Sequence, residues 1–376
     1  MRDSSAPNVF GECVPDFSSL SVGAPASKRM SLVDVHNEWD PLEEVIIGTA
    51  VGARIPVAGV DLVAIEFAEF AECAERLRSG PLPKWVIEQT EAELAALCDA
   101  LCKLDVTVRR PELRDHAAFI TTPDWQTDGF YDYCPRDVLL TLGNTVIETP
   151  MVLRSRFLEP FVYKQLLLEY FCSGARWISA PKPRLAEEMF NPDAPPGQRL
   201  GDAEPAFDAA NVLRFGTDIL YLVSDTGNEL GWRWLQSVLG STYTVHPCRK
   251  LYAATHVDST IVPLRPGLVL LNPARVNEDN MPEFLRDWDK LYAPDLMDTG
   301  WVGERPHCSK WIGMNLLVIK PGLVIADDRQ LDLIRILERA GLDVLPLRLT
   351  HSRTLGGSFH CVSLDVRRRG KLETYR

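Results

Sequence analysis

Asn315-Leu316-Leu317-Val318-Ile319-Lys320-Pro321-Gly322-Leu323-Val324-Ile325-Ala326 reads as two apolar strands folded back on each other across a Lys-Pro-Gly turn. The runs are aliphatic and β-branched, and glycine supplies the positive φ that a short hairpin loop demands. The pattern occurs three more times upstream. Val138 to Leu142 and Thr145 to Glu148 flank Gly143-Asn144. Asn211 to Phe215 and Ile219 to Val223 flank Gly216-Thr217-Asp218, and Thr260 to Leu264 and Leu268 to Leu271 flank Arg265-Pro266-Gly267. The turn glycines fall roughly 50–70 residues apart, the spacing of supersecondary units repeated about a centre.

Helical periodicity fills the intervals. Trp85 to Leu104 carries Val86, Ile87, Leu94, Leu97 and Leu101 on one stripe, and Phe157 to Ala175 and Asn228 to Leu239 are further candidates. Leu331, Leu333, Ile334, Ile336 and Leu337 form an amphipathic helix that ends at Gly341. Hairpin and helix in alternation, about five times over, predict an α/β architecture with radial pseudo-symmetry. The rival is a doubly wound parallel sheet; the antiparallel hairpins and the lack of a GxGxxG or P-loop pattern weigh against it. Residues 1–30, rich in Ser, Pro and Ala, read as a loosely ordered leader. No linker or shift in composition follows, so residues 31–376 read as a single domain.

The 376 residues carry 40 basic and 52 acidic side chains, a formal charge of −12. That surplus of carboxylates argues against nucleic-acid and anionic-membrane partners. Arg367-Arg368-Arg369 is too short to reverse it and reads as a solvated or salt-bridged strand end. No apolar segment reaches the ~18 residues of a membrane span, and no signal-peptide stretch opens the chain, which points to the cytoplasm. The nine cysteines show no CxxC and no zinc-site spacing with histidine. They read as buried, reduced thiols, with the question of which one is reactive.

Three strand-adjacent passages hold the polar residues of a site: Glu204 to Ala210 with Asp208, Ala254 to Thr260 with His256 and Asp258, and Leu355 to Val362 with Cys361 behind Gly356-Gly357. A cysteine nucleophile needs a base to carry protons, and the base needs a carboxylate to fix its tautomer. Spacing alone leaves a hydrolytic cysteine enzyme and a purely structural role open, although the papain and caspase signatures are absent.

Read with His36 to Gly48, Cys134-Pro135-Arg136-Asp137, Met151 to Phe157, Cys308-Ser309-Lys310-Trp311 and Gly356 to Cys361, these passages resemble the arginine amidinotransferases from about Val35 to Tyr375. The resemblance implies a five-bladed α/β propeller, the pentein fold, with pseudo-five-fold repeats around a central active site. It implies Cys361 as nucleophile, His256 as general acid/base and Asp208 as its orienting carboxylate. Asp137 and Asp258 would grip the donor guanidinium, and Arg275 and Ser309 the donor α-carboxylate. Asp137 as a turn cap and Arg275 paired with Glu278 are the structural alternatives. The implied reaction moves the amidino group of L-arginine through a covalent amidino-cysteine to a primary amine and releases ornithine, with no metal or organic cofactor. A homodimer is also implied.

Before His256, where glycine-using members carry Asn and Met, this chain has the smaller Ala253 and Thr255, and Cys308 replaces a Ser. The expected acceptor is therefore a primary amine larger than glycine, in natural-product biosynthesis. The rivals are an arginine deiminase-type hydrolase, a glycine amidinotransferase, and a non-catalytic arginine-binding protein. His360 is expected to point away from the site if its segment is a strand.

Overall fold

The computed structural model describes residues 31–66 and 78–375, so the leader read over residues 1–30 lies outside the described residues. All four hairpins form with antiparallel register: Leu139–Leu142 with Thr145–Glu148, Val212–Phe215 with Asp218–Leu222, Ile261–Arg265 with Leu268–Leu271, and Leu317–Lys320 with Leu323–Asp327. Their turn glycines all take positive φ, between 54° and 148°. At Gly216 a Cβ would also lie 2.0 Å from the Glu373 carbonyl oxygen, because the C-terminal segment crosses this turn.

Each hairpin gains a third, parallel strand: Arg176–Ser179, Thr244–Cys248, Asp289–Tyr292 and Asp343–Leu347. Parallel pairing needs a crossover, and helices Lys164–Cys172, Glu229–Leu239 and Leu331–Arg339 supply three of the four. The fourth holds only the 3₁₀ turn Glu283–Leu285. A fifth sheet of the same topology joins the two ends of the chain. Ser363–Arg368 runs antiparallel to Leu42–Ile47, and Thr107–Arg109 runs parallel to Leu42–Ile47 after helix Lys84–Lys103. No sheet among the described residues exceeds three strands, which sets the doubly wound alternative aside.

Helix Lys84–Lys103 buries Val86, Leu94, Leu97 and Leu101, with Thr90 on the same stripe returning its hydroxyl to the Val86 carbonyl. The helix expected over Phe157 to Ala175 is shorter. The stretch Glu159–Tyr163 around Pro160, which has no N–H to give, is 3₁₀, and α-helix starts at Lys164. The cysteines are not uniformly buried: Cys102 and Cys172 lie on exposed helix positions, whereas Cys134 and Cys361 are buried. No helix among the described residues is long and apolar enough to cross a membrane.

A buried ionic network ties the fifth sheet to its neighbours. Arg214 donates to Glu38 from Nε (2.7 Å) and Nη2 (2.6 Å), and to Asp365 from Nη2 (2.7 Å). Arg136 and Arg368 also donate to Asp365. Arg368 is thus a structural cation rather than part of a basic surface. Burial alone would raise the Glu38 and Asp365 carboxyls, but the surrounding guanidinium groups outweigh it and hold both well below the usual range. Depressed folded-state values stabilise the protein above the unfolded carboxylate range and lose that contribution as pH falls through the folded values. Arg214→Met takes from buried Glu38 its two shortest hydrogen bonds and from Asp365 one of three guanidinium partners, and is expected to cost about 3–5 kcal/mol of unfolding free energy in a denaturant titration. A loss under about 1 kcal/mol would contradict the network's role.

Candidate active site

Each of the five sheets presents one residue at the same place, a few positions before its hairpin's first strand. Asp137 precedes Leu139–Leu142, Asp208 precedes Val212–Phe215, and Asp258 precedes Ile261–Arg265. Asn315 precedes Leu317–Lys320, and Cys361 precedes Ser363–Arg368. All five are 3 % exposed or less. Asn315 fixes the nucleophile's segment, its Oδ1 accepting from the backbone N–H of both His360 and Cys361 at 3.1 Å.

Asp137, Asp208, His256, Asp258 and Cys361 line one inner cavity of about 50 Å³. His256 Nε2 lies 3.0 Å from Asp208 Oδ2, and Nδ1 lies 3.6 Å from Asp137 Oδ1. Asp208 Oδ1 accepts from the Val152 N–H, which holds the carboxylate that holds the ring. The Cys361 thiol donates to Asp258 Oδ2 at 3.1 Å, and His360 Nδ1 sits 3.0 Å from the same oxygen. Asp137 Oδ2 accepts from Arg156 Nη1 at 2.7 Å, while its Oδ1 is buried without a hydrogen bond. Asp137 therefore has one oxygen, not two, for a bound cation.

The electrostatics follow from three carboxylates packed around one imidazole. Burial would lower the His256 pKa, but Asp137, the bond to Asp208 and Asp258 outweigh it and push it up to about 9. Burial raises Asp258 less than the His360 bond and the His360 and His256 charges lower it, leaving it at about 2. The hydrogen bond with Cys134, burial and the Asp258 charge hold the Cys361 thiol well above its ordinary value. At rest the pair is a thiol beside an imidazolium, in a cavity with an excess of negative charge. Such a cavity suits a planar cation, and bound positive charge would release the thiol proton.

An outer cavity of about 360 Å³ shares Glu66, Thr255, Ser259, His307, Cys308 and Ile312 with the inner one. Arg275 and Ser309 line it, joined by a 3.3 Å bond from Arg275 Nη2 to Ser309 Oγ. Arg275 Nη1 bonds the Ser259 and Thr260 hydroxyls, and its guanidinium stacks 3.5 Å over Tyr252. The acceptor pair divides. Thr255 lines both cavities, but Ala253 lines neither; it is exposed, and Ala254 takes the place on the outer wall.

His360 corrects the expectation drawn from strand alternation. Residues 359–362 are turns, the strand begins only at Ser363, and the ring bonds Asp258. Nothing local in the sequence marks Arg156, Glu159, Asn315 or Cys134 as site residues, although Arg156 and Cys134 lie in the Met151 to Phe157 and Cys134 to Asp137 motifs. Their polar chemistry becomes visible only through burial. Arg156 spans Asp137 and Glu159, whose carboxyl burial pushes up to about 8 against the pull of that guanidinium.

No family model matches the chain. It is 68 % identical over 347 residues to inosamine-phosphate amidinotransferase 1 of Streptomyces glaucescens, covering 92 % of this chain and all of that one. The L-arginine:L-lysine amidinotransferase of Pseudomonas savastanoi pv. phaseolicola is 37 % identical over 357 residues, covering 92 % and 97 %. Among solved structures, the inosamine-phosphate amidinotransferase of Streptomyces griseus superposes with a TM-score of 0.91 at 67 % identity, covering 92 % of this chain and 99 % of that one. With likeness of this degree over the very segments that bring thiol, imidazole and carboxylates together, the chain belongs to the amidinotransferase family, enzymes that move an amidino group onto an amine.

Proposed function

We propose that this amidinotransferase takes its amidino group from L-arginine, carries it on Cys361, and delivers it to a phosphorylated aminocyclitol amine. The observation that carries the mechanism is the inner cavity, where Cys361, His256 and three carboxylates converge. In this reading Asp137 Oδ1 and Asp258 grip the guanidinium, and Arg275 with Ser309 holds the α-carboxylate. The bound cation offsets the negative charge around Cys361, the thiol gives up its proton to solvent as arginine binds, and the thiolate adds to the guanidinium carbon. His256 Nδ1, the nitrogen not committed to Asp208, gives its proton to the departing nitrogen, so ornithine leaves and an S-amidino-cysteine remains. The incoming amine attacks the same carbon, His256 takes up the amine's proton, and the thiolate leaves. The five like sheets, each feeding one residue to this point, support a five-bladed propeller about the site within one domain of residues 31–376. The seven free thiols among the described residues suit a reducing cytoplasm.

The acceptor class rests on the relatives' names and on the small side chain of Thr255 at the junction of the two cavities. The test loads the enzyme with arginine and compares kcat/KM for an aminocyclitol phosphate, lysine and glycine. The phosphorylated aminocyclitol is expected to lead. Thr255→Met is expected to shift the preference toward glycine by roughly 10–200-fold, the range that one or two buried groups give. A wild type that prefers glycine, or that makes citrulline at the same rate without any amine, would overturn the reading.

A further inference from the structure

The outer cavity is lined by four cations, and three of them are engaged. Lys310 pairs with Asp295 and Arg353 with Asp298. Arg275 is held by three hydroxyls and is assigned to the donor. The fourth, Arg199, makes one side-chain hydrogen bond, from Nε to the Ala194 carbonyl at 3.0 Å, and no ion pair among the described residues. Its backbone, by contrast, is firmly placed. Asp225 Oδ1 accepts from the Arg199 N–H at 2.8 Å and Asp225 Oδ2 from the Gly197 N–H at 2.9 Å, while the Asp225 N–H donates to the Ala253 carbonyl. One buried aspartate thus pins the Arg199 loop to the segment that leads into His256.

That docking requires two small residues. Gly197 has φ +85°, and a Cβ built on it would lie 3.3 Å from the Ala253 Cβ. Ala253 lines neither cavity, yet a larger side chain there would push the loop outward and carry Arg199 with it. The smallness of Ala253 then acts on the acceptor through Arg199 rather than through pocket volume.

Resting on the acceptor reading above, we infer that Arg199 is the anchor for the acceptor's phosphate, a second anion site separate from the Arg275–Ser309 site of the donor. A guanidinium offers a phosphate two parallel N–H bonds, which a lysine cannot reproduce. The acceptor arrives after ornithine has left, so the alternative is that one cation, Arg275, serves both anions in turn.

The experiment uses amidino-enzyme preloaded with arginine and freed of ornithine, and follows discharge to an aminocyclitol phosphate, the same aminocyclitol without phosphate, and lysine. In Arg199→Gln the kcat/KM ratio of phosphorylated to unphosphorylated acceptor is expected to fall roughly 10–100-fold, through KM rather than kcat. Arg199→Lys recovers part of it. Inorganic phosphate is expected to inhibit wild-type discharge competitively and to lose that effect in Arg199→Gln. Ala253→Asn moves the ratio in the same direction without touching the guanidinium. A ratio changed less than about 3-fold in Arg199→Gln, or both acceptors weakened alike, overturns the assignment while the acceptor reading stands. A wild type that discharges to lysine but not to the aminocyclitol phosphate overturns both.

Discussion

Exposed to arginine without an acceptor, the wild-type chain gains the mass of one amidino group on Cys361, and Cys361→Ala gains none. Turnover in the variant is expected to fall roughly 10⁴–10⁶-fold, the scale on which removal of a covalent nucleophile is felt. Cys134 is the informative control. It is buried, shares a hydrogen bond with Cys361, and lies where a Cβ added to Gly357 would come within 2.5 Å of its sulfur. Its own thiol is held up by burial, and its side chain does not line the inner cavity. Cys134→Ala should therefore keep the covalent adduct and release the Cys361 thiol more readily, since the hydrogen bond with Cys134, which accepts, is the largest influence holding that thiol protonated. An adduct mapped to Cys134, or turnover without any adduct, would replace the mechanism.

What sequence could and could not reveal follows from the range over which the forces act. A Gly turn between two apolar runs is a local signal, and all four hairpins appear where that signal stands. The fifth sheet has no such turn. Its antiparallel pair matches Ile47 with Ser363 and Val45 with Asp365, and nothing near either strand announces a partner at the other end of the chain. The same limit hid the site's support. Asn315 looks like the first residue of a strand, and Arg156 like one cation among many. Their roles come from burial and from which neighbour the fold sets beside them. Strand alternation fails at His360 because the strand begins three residues later, at Ser363, and residues 359–362 are turns. Ala253 matches the Asn of glycine-using members, yet the segment there is a bend and not a regular strand, and Ala253 lines neither cavity. Motif resemblance named Asp208, His256 and Cys361, which the fold brings to one cavity; the charges that tune them needed coordinates.

His256→Asn is expected to slow ornithine release roughly 10²–10⁴-fold, because the leaving amine can depart only as it gains a proton. The pH profile separates this from a merely structural effect. With its pKa pushed up to about 9, His256 is protonated throughout the neutral range. As a proton donor it works fully below about 8 and fails as pH rises through about 9, so kcat/KM for the donor half-reaction, which reports the free enzyme, should carry an alkaline limb there. Asn cannot titrate, so His256→Asn should lack that limb altogether. Asp208→Asn keeps the ring but removes a carboxylate that raises its pKa, so its limb should move to lower pH while the rate falls roughly 10²–10⁴-fold. Asp137, 3.6 Å from Nδ1, still supports the imidazolium in that variant, so the limb should shift rather than vanish. Identical profiles in the wild type and Asp208→Asn would mean that Asp208 positions the ring without setting its charge. A wild-type limb that survives in His256→Asn would assign the proton to another group.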